Sequence, residues 1–126
     1  MMALAARSAM VALAAPVAPP PAAAALLSAL ESGDARAARA TLAQEVTIMD
    51  SSSGSDVSST LEAVAGYARG CRRSDLSVQY DSEDPRRGAV TVTWTCPAHS
   101  PGQAFVWTEG TQVVWIQFGM PLPRAR

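Results

Sequence analysis

Lysine is missing from this chain: all ten of its cationic residues are arginine, and eleven acids bring the formal net charge to −1. Charged residues make up only 17% of the sequence. Nothing here resembles the basic footprint of a nucleic-acid binder, and the pairs Arg72-Arg73 and Arg86-Arg87 are too short to supply one. Histidine occurs once, at His99, and cysteine twice, at Cys71 and Cys96. A tetrahedral metal site wants four nitrogen or sulfur ligands, so Cys96-Pro97-Ala98-His99 together with Cys71 falls short and no metal is expected. No Ser-His-Asp or Cys-His spacing and no glycine-rich phosphate loop is present, so no cofactor is expected. Long apolar runs are lacking as well. Pro16, Pro19, Pro20 and Pro21 interrupt the N-terminal one well short of the roughly 20 residues that cross a bilayer.

What the chain does have is 126 residues, 48% of them hydrophobic, enough for one folded domain and too few for two. Residues 1–24 read as an export signal: Arg7 is the positive n-region, SAMVALAA (8–15) the apolar core, and Ala22-Ala23-Ala24 or Pro16-Val17-Ala18 the cleavage context. The protein is therefore expected in the periplasm or outside the cell, with no stable membrane insertion once the signal is gone. Two cysteines in an exported domain suggest one disulfide, Cys71–Cys96, pinning a helix end to a strand in the middle of the sheet. Two buried free thiols are the alternative if the leader is misread.

The stretch ALLSALESGDARAARATLAQEVTIMD predicts two short helices hinged at Ser32-Gly33-Asp34 and running into a strand. Leu26, Leu27 and Leu30 form an apolar stripe of helical period. Gly33 suits the left-handed position that ends a helix, and Asp34 the N-cap of the next. The second helix is expected over 35–44, followed by β-branched alternation at Val46 and Ile48. SSSGSDVS (51–58) reads as a polar loop, and Ser59-Thr60-Leu61-Glu62 has the spacing of a capping box opening a third helix. Alternating strands follow over 76–80 and 90–96, and a final hairpin turns at Glu109-Gly110. Residues 121–126 read as a frayed tail. Helices gathered on one side of long antiparallel strands make an α+β domain, and a curved sheet over three helices encloses a cone whose mouth is the natural ligand site.

These segments, with the closing hairpin FVWTEGTQVVWIQFG, resemble the nuclear transport factor 2-like superfamily, which includes SnoaL-like polyketide cyclases and ketosteroid isomerases. The resemblance covers residues 25–120 and implies a cystatin-like cone, three N-terminal helices packed on a curved antiparallel sheet. In ketosteroid isomerases a general-base aspartate follows the first strand, and Asp50 in VTIMD matches that position. The family's helix tyrosine falls near Leu26 and its second acid near Gly102, neither of which donates a side-chain hydrogen bond. Without such donors an enolate lacks stabilisation of about 3 kcal/mol each, so steroid isomerase chemistry does not carry over.

The expected function is an exported module, non-catalytic, that binds a small hydrophobic ligand or self-associates as a homodimer through its sheet face. The alternative is a SnoaL-like isomerase, cyclase or dehydratase with Asp50 as base, helped by Tyr67 or Tyr80. Tyr67, Tyr80, Trp94, Trp107 and Trp115 are the candidate ligand-binding residues. On strands of period two, the same rings also suit a core or a face covered by a second subunit.

Overall fold

Pro20 and Pro21 open the first helix, α1 (Pro21–Glu31), with the fixed φ of proline suited to its first position. The helix begins inside the segment read as leader, and its Ala22 and Ala23 are already core residues. Leu26, Leu27 and Leu30 are each fully buried, as their spacing requires. Burial of a leucine side chain of this kind contributes about 2 kcal/mol. The expected hinge follows: Gly33 takes φ +78°, and Asp34 Oδ1 accepts from the Ala37 amide at 2.9 Å to start α2 (Ala35–Arg39). The computed structural model describes residues 17–49 and 56–119. Most of the leader, Asp50, the loop 51–55 and the tail 121–126 lie outside the described residues.

Helix α2 is shorter than its composition predicts. Thr41 ends it by returning both its amide and its hydroxyl to the Ala38 carbonyl. The Thr41 carbonyl then accepts from the Val113 amide, and β1 (Leu42–Met49) starts there. Helix α3 (Val57–Ala68) is capped by Asp56, whose carboxylate accepts from the Ser59 amide at 2.7 Å. The predicted capping box at Ser59 is thus displaced by three residues. A carboxylate is a stronger acceptor than a hydroxyl, and Val57 has already joined the helix. Thr60, Leu61, Val64 and Ala68 face inward.

Four strands complete the fold: β2 (Arg72–Tyr80), β3 (Arg87–Thr95), β4 (Gly102–Glu109) and β5 (Gln112–Gly119). The sheet order is β1-β5-β4-β3-β2. Short connections make β2 through β5 antiparallel, with Gly110 at φ +62° in the last turn. The edge strand β1 pairs parallel to β5, which departs from the all-antiparallel expectation. No hairpin ties β1 to β5, so hairpin geometry does not set their relative direction. β2 begins at Arg72 instead of 76, because its outer face at the sheet edge is exposed and carries polar residues without cost, while Arg73 on the inner face finds a partner in Glu31.

Three helices lie against one face of the five strands, and Val90, Val92, Trp94, Val106, Ile116 and Phe118 meet them there. The disulfide is present, with a Cα–Cα distance of 4.4 Å. Its position differs from the expectation. Arg72 pairs with Thr95, so Cys71 and Cys96 sit one step beyond that pair, at the end of the edge hairpin instead of mid-sheet.

Candidate functional site

The five aromatic residues singled out from the sequence are not gathered in one pocket. Trp94 is fully buried, and its indole N–H donates to Glu31 Oε2 at 2.8 Å. Glu31 closes α1, and its carboxylate also receives Arg73 Nε at 2.7 Å and Nη2 at 3.1 Å. An inner-face indole and an edge-strand guanidinium thus share one carboxylate, fixing the helix to both β2 and β3. Sequence reasoning missed Glu31 and Arg73. The only local signal was a lone acid at the end of an apolar helix.

Tyr67 serves the loop that follows β3, at the same end of the sheet as the Glu31 cluster. Its phenol donates to the Ser100 carbonyl, and its ring packs on His99 with centroids 4.1 Å apart. Burial pushes the phenol above its ordinary range, so it remains a neutral donor at neutral pH. Cys71, Cys96 and His99 do converge, their ligand atoms all lying within 4.8 Å of one another. Because the sulfurs are joined to each other, only the imidazole retains an ordinary ligand lone pair. Together the bridge and Tyr67 staple the loop 97–101 onto α3. Tyr80, at the far end of β2, donates to the Ala18 carbonyl at 2.8 Å.

Trp107 and Trp115 are direct partners across β4 and β5 on the outer face of the sheet. Phe105 meets Trp115 edge to face, with centroids 5.6 Å apart and planes at 76°. All three rings are half-buried, held apart from the core by strand alternation. A bulge between Trp107 and Thr108 inserts Val114 and keeps Trp115 opposite Trp107. Their neighbours on this face are Ala89, Thr91, Thr93, Gln103 and Gln117. None of these residues carries a charge, and Met49 of β1 extends the patch with 49% of its surface exposed.

The hollows formed by the described residues include five of about 160–330 Å³, and Trp94, Phe118, Val92 and Leu30 line none of these five. Large buried side chains fill the space between helices and sheet. Two of the depressions flank the aromatic ridge: one of about 250 Å³ beside Phe105 and Gln117, and one of about 210 Å³ beside Trp107 and Ala89.

Comparison with solved structures then places the architecture. A protein from Sphaerobacter thermophilus aligns over 82% of this chain and 94% of its own, with a TM-score of 0.54 and 16% identity. A nuclear transport factor 2-like protein from Cytophaga hutchinsonii aligns over 79% and 93%, with a TM-score of 0.53 and 13% identity. The chain has the nuclear transport factor 2-like fold. A Pseudomonas putida protein assigned as a polyketide cyclase shares it over 84% of this chain and 93% of that one, with a TM-score of 0.52 and 17% identity. No protein-family model and no curated protein matches the sequence. At such low identities the likeness is one of fold alone.

Proposed function

We propose that this protein is an exported, non-catalytic nuclear transport factor 2-like module that pairs with a second copy of itself through the outer face of its sheet. The observation that carries this reading is the uncharged ridge of Phe105, Trp107 and Trp115, flanked by two hollows on the same face. In a two-fold interface like meets like. A ridge without charge meets its own copy without repulsion, and a ridge beside hollows is complementary to itself. Asp75, Arg87 and Glu109 lie at the rim of the same face. Five strands of about eight residues span roughly 600 Å² in projection. Side-chain relief brings that near the ~800 Å² per partner of a standard interface. Aromatic residues at the centre of a patch are the usual anchors of such contacts.

Export is supported by the leader-like composition of residues 1–24 and by the disulfide. Among the described residues, no helix is long and apolar enough to cross a membrane. The filled interior favours self-association over binding of a hydrophobic ligand inside the cone. The fold shared with a protein assigned as a polyketide cyclase favours the second reading, in which Asp50 is a general base. Replacing Trp107 with Glu tests the first: a charge at the centre of the face should weaken self-association by about 30-fold or more. Unchanged association of a folded Trp107→Glu protein would remove the interface from this face.

A further inference from the structure

Export leaves open where the leader ends, and the fold bears on that question. Ala22-Ala23-Ala24 is a small-residue context of the kind a leader peptidase accepts, but these residues are the first turn of α1. Ala23 is fully buried and Ala22 nearly so. The Ala24 amide donates to the Pro20 carbonyl at 2.9 Å, which starts the helix ladder. Pro20 is itself buried, beside Gly88 at the start of β3. A Cβ added at Gly88 would lie 2.8 Å from Pro20 Cγ, so that glycine is what lets the proline approach the sheet. Two residues earlier, the Ala18 carbonyl accepts from the Tyr80 phenol.

We infer that residues 18–24 remain with the folded protein and that any processing cuts ahead of them. This rests on the export reading. A leader peptidase acts on the unfolded chain, so packing does not shield the later bonds. Packing decides whether the product is sound. A chain starting at Ala25 would lack the helix's first turn, uncover Gly88 and leave the Tyr80 phenol without its acceptor. A cut after Ala18 would free Tyr80 in the same way by removing that carbonyl.

The test is to express the whole chain in a bacterium, recover it from the periplasm and determine the first residue by intact mass. A start at any residue up to Ala18 is expected; a start at Pro19 or later would overturn the inference. Chains beginning at Ala15 and at Ala25, made without a leader, form a second arm. The shorter chain should melt lower by about 10 °C or more, and equal melting would also overturn the inference. Uncut protein held in the cytoplasm would count against export alone, and the melting comparison would still decide whether residues 18–24 belong to the fold.

Discussion

Replacing Trp94 with Phe probes how the interior is held. The change retains an aromatic ring on the inner face but removes the indole N–H that Glu31 Oε2 accepts. A hydrogen bond to a charged partner contributes about 1.5–3 kcal/mol. Glu31 keeps both contacts from Arg73 and is not left unpaired, so the lower half of that range applies. The smaller ring leaves a void in a fully buried site, which adds about 1 kcal/mol. The expected destabilisation is therefore about 3 kcal/mol, a fall in melting temperature of roughly 10–20 °C for a domain of this size. Urea unfolding followed by far-ultraviolet circular dichroism avoids losing the fluorescent reporter. Trp94→Phe combined with Glu31→Gln separates the hydrogen bond from the packing. The double variant should be less destabilised than the sum of the singles by about 1 kcal/mol. Additivity within error would refute the argument that the indole and the carboxylate act on one another.

Serine at both Cys71 and Cys96 removes a bridge across a sequence separation of 25 and should cost about 3 kcal/mol. The intact protein should weigh two protons less than its reduced form by mass spectrometry. Hydrogen bonds from Ser59 hold the Asp56 carboxyl below its usual range, aided by Arg39. Its folded value is depressed, so its contribution is present above the ordinary carboxylate range and is lost as pH falls through the folded value. Melting measured from about pH 6 to about pH 2 should therefore fall less steeply for Asp56→Asn than for the parent. Asp50→Asn should leave both melting and self-association near those of the parent. A turnover abolished by that change alone would establish the catalytic reading instead.

Much of the fold was legible because apolar residues repeat at the period of their element. Val90, Val92 and Trp94 alternate with threonines, and all three are fully buried. Gly33-Asp34 announced its hinge because only a few residue types suit those two positions. The errors lie where local chemistry offers two answers. Ser59 and Glu62 have capping-box spacing, but Asp56 three residues earlier caps first. Arg72, Arg73, Ser74 and Asp75 look like a loop, yet they open an edge strand whose partner is selected by pairing, not composition. The candidate site was less legible. Alternation sets Trp107 and Phe105 opposite Val106, but it does not say which face meets the helices. Glu31 finds its partners 42 and 63 residues away, a separation no local pattern encodes.

Sedimentation equilibrium of the processed protein across the micromolar range, beside Trp115→Arg, tests the paired-sheet account most directly. The parent should sediment at twice the chain mass and the variant, folded by circular dichroism, at the mass of one chain. A parent that remains a single chain at every concentration, or a dimer that Trp115→Arg leaves intact, would contradict it.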